Sequence, residues 1–160
     1  MQLTRRRALG LALAASSTAG LRARAAGNRK VHFIGFQNQS RMPVVYRLGD
    51  VFVMPSRGPG ETWGLAVNEA MASSRPVIVA DCVGCAPDLV REGKTGMTFA
   101  RGDGRALAAS MAAFTENRAR QAEMGTAATE LIGQWSIEEQ AARIEKAIET
   151  VLERQRARRR

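Results

Sequence analysis

PSRGPGETWGLAVNEAM, residues 55–71, is the stretch that decides the fold. A β-type run, Val51 to Met54, stands before it, and an apolar-periodic segment from Leu65 to Ala72 follows. Between them lies a glycine-rich turn, Gly58-Pro59-Gly60. The order is strand, glycine turn, helix. In an open parallel sheet such a turn lies at the carboxyl end of a strand, where ligands bind. Gly64 stands at the helix start. Free backbone N–H groups and the positive end of the helix dipole there suit a phosphate.

Two carboxylates bracket that helix start. Glu61 precedes it, and Glu69 lies over a turn inside it, with seven residues between them. A carboxylate accepts two hydrogen bonds from a vicinal diol, as acidic residues do from ribose in dinucleotide folds. Glu61 is placed to reach a sugar beside the phosphates. A lone glutamate is ordinarily a solvated surface group. The pair flanking a glycine turn after a strand is a stronger signal.

At this point the chain resembles a family, the retaining glycosyltransferases of family 4, which have the GT-B fold and carry an E-x7-E signature. The match extends over VHFIGF (31–36), DVFVMPS (50–56), EAMA (69–72), PVIV (76–79) and GKTG (93–96), in the family's order and spacing. It covers about residues 28 to 153. The resemblance implies an α/β fold, a partial Rossmann-like parallel sheet flanked by helices, forming the C-terminal lobe of a GT-B enzyme. It implies hexose transfer from a nucleotide-diphosphate sugar with retained anomeric configuration, without a cofactor or bound metal. Glu61 takes the catalytic place and binds donor-sugar hydroxyls, and Glu69 binds the ribose. Gly64 and Leu65 offer backbone N–H groups to the diphosphate. Gly35, Phe36 and Gln37, in the loop after the first strand, lie beside the base. Trp63 stands where the family is usually aromatic and packs over the turn.

Outward from that motif, 160 residues suit one domain, and 45% apolar residues suit a packed core. The formal charge of +9 is uneven. Residues 1–30 hold seven Arg or Lys and no acid, residues 154–160 hold five Arg, and residues 31–153 carry the remaining −3. A nucleic-acid-binding protein more often carries its positive charge on a folded face, so no nucleic acid is expected. The basic ends suit peripheral contact with anionic lipid as an alternative to plain solvation.

The expected organisation is a basic leader or residual helix over residues 1–27, a nucleotide-sugar-binding lobe over 28–153 and a basic tail over 154–160. Arg5-Arg6-Arg7 and the apolar run after it allow a twin-arginine export signal. The reading preferred here is an unprocessed segment of a cytoplasmic enzyme, with a helix ending at Gly27, and export is its alternative. Strands are expected at Val31–Ile34, Val51–Met54, Pro76–Ala80 and Met97–Phe99. Ser40 is expected to cap a short helix ending at Gly49, and Asp103 a longer one. Ser136-Ile137-Glu138-Glu139 reads as a capping box. The helix after it carries Ile137, Ala141, Ile144, Ile148 and Val151 on one stripe, expected to pack on a partner absent from this chain.

His32 is the only histidine, and no acid–base or metal constellation can be built on it. Cys82 and Cys85 form one C-x-x-C without a second pair, so incidental thiols are expected rather than a zinc site. An acceptor lobe would precede this chain, as would the basic segment that the family aims at the diphosphate. The chain is thus expected to be a fragment, inactive alone. The alternatives are a non-catalytic nucleotide-sugar-binding lobe and a basic-ended interaction module.

Overall fold

The computed structural model describes residues 11–13, 31–58 and 61–158. Its centre is a four-stranded parallel sheet in the order β1-β2-β3-β4. The strands are β1 (Leu11–Leu13), β2 (Val51–Met54), β3 (Val77–Ala80) and β4 (Gly96–Phe99). Every residue of β2 and β3 is buried. This is why both read as unbroken apolar runs rather than alternating ones. Phe52 stands opposite Val77, and Val77 opposite Gly96.

Six helices complete the described chain: α1 (Met42–Leu48), α2 (Leu65–Ala72), α3 (Ala86–Leu89), α4 (Gly104–Glu116), α5 (Arg118–Gly133) and α6 (Ile137–Arg158). α2 directs Val67, Ala70 and Met71 into the core. α5 packs across α2 and also meets α3 and α4. Val67, Met71, Ile78, Val79, Val83 and Leu89 are each at most 1% exposed and form the centre of one apolar cluster. Asp103 caps α4 by accepting from the Arg105 and Ala106 amides, each at 2.9 Å. Ser136 caps α6 by accepting from the Glu139 amide at 3.2 Å.

Two expectations are corrected. The strand expected at Val31–Ile34 does not form. Residues 31–38 form neither helix nor strand, with Val31, Phe33 and Ile34 between 42% and 50% exposed. The edge of β2 is occupied instead by Leu11–Leu13, with Leu11 opposite Val51. A short β-prone run becomes a strand only where an edge is free to pair with it, and β1 has taken that edge. Part of the expected leader therefore lies in the sheet. The helix expected to end at Gly27 falls outside the described residues. The second correction concerns Ser40. Arg41 is the N-cap of α1 and makes no side-chain cap bond. Ser40 Oγ donates to Asn38 Oδ1 at 2.8 Å, and the Asn38 carbonyl accepts from the Arg41 and Met42 amides. Asn38 makes the turn into α1, a role its short amide suits.

The parallel arrangement places the loops after β2, β3 and β4 at one end of the sheet, and hydrogen bonds tie them together. The Cys85 amide donates to the Trp63 carbonyl at 2.8 Å, Cys82 Sγ donates to the Ser56 carbonyl at 3.3 Å, and the Arg101 amide donates to Asp81 Oδ1 at 2.9 Å. Gly84 passes so close to the loop before α2 that a Cβ there would lie 1.9 Å from the Thr62 carbonyl oxygen. Neither cysteine is in a disulfide. Both pin one loop to another.

Gly84→Ala forces these backbones apart. Its expected cost is about 1–3 kcal/mol, as for other overpacked sites, read as a lower denaturation midpoint at unchanged slope. Cys85 gives a pH prediction. Burial pushes its thiol from 9.0 up to about 11; the charges of Glu61 and Asp88 add to this, against a hydrogen bond that favours the thiolate. The folded state thus holds its proton more tightly than the unfolded chain. The resulting stability is fully present below pH 9.0 and is lost as pH rises towards about 11. A melting series from pH 8 to 10.5 should show this fall, and Cys85→Ala should shrink it.

Candidate functional site

β2 ends at Met54, and the chain crosses the carboxyl edge of the sheet before entering α2 at Leu65. Gly58 is a bend, and Pro59 and Gly60 lie outside the described residues. Gly64 is the N-cap of α2, with φ of 96° in the left-handed region. That conformation favours glycine. A Cβ at Gly64 would also meet Val83 Cγ1 at 2.6 Å. No side chain caps this end. The first amides of a helix have no intrahelical acceptor, so those of Leu65 and Ala66 are available to a ligand. The Gly64 carbonyl begins the ladder by accepting from the Val67 amide at 2.8 Å.

Glu61 is half-buried on the loop just before this helix end. Glu69, also half-buried, is the fifth residue of α2. Its Oε2 accepts from Tyr46 Oη at 2.7 Å, and its Oε1 accepts from Gln39 Nε2 at 2.6 Å. Tyr46 comes from α1, where it is buried and packs edge-on against Phe52 with ring centroids 5.5 Å apart. Burial first, then the hydrogen bond and charge of Glu69, raise the Tyr46 phenol well above its ordinary value. It therefore keeps its proton and donates at neutral pH.

Trp63 closes one side of the loop. Its Nε1 donates to Asn68 Oδ1 at 3.0 Å, and its ring lies 5.4 Å from that of Trp135. The Trp63 ring thus packs against the loop before α6; the glycine turn it is expected to cover lies partly outside the described residues.

The structure brings Glu61, Gly64, Leu65 and Glu69 together along one loop and helix. It does not tie Gly35, Phe36 and Gln37 to them. Those three form an open segment in which Gln37 Nε2 donates to the Gly35 carbonyl at 3.2 Å and Phe36 is 96% exposed. Gln39, two residues further on, is the group that reaches Glu69. Sequence reading missed both Gln39 and Tyr46. Tyr46 is the only tyrosine in the chain, and its helix directly precedes β2. That was the one available signal. Among the described residues, no group of three or more His, Cys, Asp or Glu is placed to hold a metal ion. No described helix is long and apolar enough to cross a membrane.

The family described as glycosyl transferases group 1 matches residues 16–131, well over half of the chain. Sulfoquinovosyl transferase of Arabidopsis thaliana is 39% identical over 101 residues, covering 61% of this chain and 19% of that protein. A phosphatidyl-myo-inositol mannosyltransferase of Mycobacterium leprae is 29% identical over 121 residues, covering 76% of this chain and 32% of that protein. The chain thus spans between about a fifth and a third of the length of these relatives. Among solved structures, sucrose-phosphate synthase from Thermosynechococcus elongatus superposes with a TM-score of 0.67 at 26% identity, covering 82% of this chain and 33% of that one. Anabaena HepE, solved in complex with UDP, superposes with a TM-score of 0.68 at 25% identity, covering 80% of this chain and 35% of that one. Parallel sheet, helix entry and sequence pattern agree: the fold is that of the GT-B C-terminal lobe, and the chain belongs to the group 1 glycosyl transferase family.

Proposed function

We propose that this chain binds the donor of a retaining hexosyltransferase, a nucleotide-diphosphate sugar. The observation that carries this reading is the uncapped N-terminus of α2 at the carboxyl end of β2, with one half-buried glutamate on each side of it. The Gly64 and Leu65 amides receive the diphosphate, Glu69 the ribose diol, and Glu61 the hydroxyls of the donor sugar. The Gly35–Gln37 segment lies beside the base. The UDP bound by HepE supports this class of ligand, and a GDP-mannose-dependent mannosyltransferase of Mycobacterium tuberculosis, 35% identical over 123 residues, extends it to a second base.

In the reaction, the bond between the anomeric carbon and the diphosphate oxygen breaks, an acceptor hydroxyl oxygen bonds to the same face, and the hydroxyl proton passes to the departing diphosphate. Negative charge grows on the departing diphosphate. Backbone donors already aimed at that position stabilise it without reorganising. The acceptor is held by a further lobe, and the chain alone transfers no sugar at a useful rate.

Titration with UDP, GDP and ADP and their sugars should shift the amide NMR signals of residues 61–69. No shift there at millimolar ligand removes the binding claim. Glu69→Ala should weaken UDP and UDP-sugar alike, by about 1.5–3 kcal/mol for the lost bonds to a charged group. Glu61→Ala should weaken only the UDP-sugar. Equal losses on both ligands for both variants would overturn this division of roles. The isolated chain should release no nucleoside diphosphate from these donors when given mixed sugar and lipid acceptors. Turnover near ~1 s⁻¹, within the ordinary enzyme range, would show that no further lobe is needed.

A further inference from the structure

Glu69 is held from two sides by donors of very different kinds. Tyr46 is 3% exposed, sits in α1 and is locked by its ring contact with Phe52. Its hydroxyl reaches Oε2 from the core side at 2.7 Å. Gln39 is exposed on the segment before α1, and its amide reaches Oε1 at 2.6 Å. A carboxylate has about four lone-pair positions, so neither bond exhausts it. The consequences of losing each bond differ. Release of Tyr46 would leave a buried hydroxyl without its partner, which is costly. Release of Gln39 returns an exposed amide to water, at almost no cost.

We propose that Tyr46 is a positioning residue that fixes the Glu69 carboxylate through Oε2, and that the Gln39 amide is an exchangeable placeholder on Oε1 which the ribose diol of the donor displaces. This rests on the reading that Glu69 binds ribose. An unanchored carboxylate rotates about its terminal torsion, which is broad and nearly two-fold. With Oε2 tied to the core, rotation is stopped and Oε1 is kept at the open side. Gln39 there donates one N–H where a sugar hydroxyl would donate its O–H. It keeps the acceptor occupied when no nucleotide is bound and leaves readily when one arrives.

The test compares UDP and GDP with their 2′,3′-dideoxy forms by calorimetric titration of the full chain. The wild-type protein should prefer the ribose forms by about tenfold or more, the ratio that one bond of about 1.4 kcal/mol produces. Tyr46→Phe should cut that preference at least about threefold while leaving the affinity for the dideoxy forms unchanged. Gln39→Ala should raise affinity for the ribose forms about two- to fivefold, again with the dideoxy forms unchanged. A Tyr46→Phe protein that loses equally on both ligand sets, or keeps the full preference, overturns the positioning role. A Gln39→Ala protein that binds the ribose forms less tightly overturns the placeholder role. Gln39 lies on an exposed segment, so its arm stands even if Tyr46→Phe folds poorly. A wild-type protein that binds UDP or GDP but does not discriminate against the dideoxy forms overturns instead the assignment of Glu69 to ribose.

Discussion

The turn after β3 grips the loop after β2, and the candidate site depends on that grip. The Cys85 amide holds the Trp63 carbonyl, and Gly84 lies against the Thr62 carbonyl where no side chain would fit. Gly64 then turns through the left-handed region into α2 with Val83, Cys85 and Met54 around it. These contacts set where the first free amides of α2 point. They also set the rotation of α2 about its axis, and hence the position of Glu69 one turn further on. The sheet contributes by being parallel. Only in that topology do successive strands deliver their following loops to the same end, where the loops can hold one another.

Among the described residues, no basic side chain bonds to either glutamate. Among the described residues, the bonds recorded to Glu69 come from two neutral donors, a phenol and an amide. Neutral donors hold a carboxylate in place without cancelling its charge, so it retains its strength as an acceptor for hydroxyls. An arginine in the same place would fork onto both oxygens and fill them. For the diol-binding role proposed for Glu69, donors that occupy one lone pair each serve better.

Much of this architecture was readable in the residues because it follows from local chemistry. The Val-Ile-Val run bounded by Pro76 and Asp81 is a buried parallel strand, since an alternating strand would show polar residues at every second place. Asp103 and Ser136 announced their helices because a cap needs only the amides two or three residues on. The misses have the opposite character. Whether Val31–Ile34 pairs depends on what else reaches the edge of β2, and Leu11–Leu13 reached it. Ser40 and Asn38 compete for one turn, and geometry settled it for Asn38. In the site, Glu61, Gly64 and Glu69 could be named from spacing along one loop and helix. The bond from Tyr46 to Glu69 crosses 23 positions of sequence, and that from Gln39 crosses 30. No periodicity reports a contact of that range.

α6 differs from the rest of the molecule. Its 22 residues include none that is buried, and Ile137, Ile144, Ile148 and Val151 are between 54% and 83% exposed. Its support is local. Glu138 and Glu139 lie in its first turn and Arg156 and Arg158 in its last, which complements the helix dipole at both ends. Hydrogen bonds from the backbone and Ser136 hold the Glu138 carboxyl below the usual carboxylate range. Effects of this kind are worth only tenths of a kcal/mol to about 1 kcal/mol each, and helices gain most of their stability from packing. α6 is therefore close to a free peptide tethered to a cooperative body. In this chain its amides should exchange with solvent through fraying rather than global unfolding, and its helix content should decline gradually with temperature while the lobe still holds a single sharp transition.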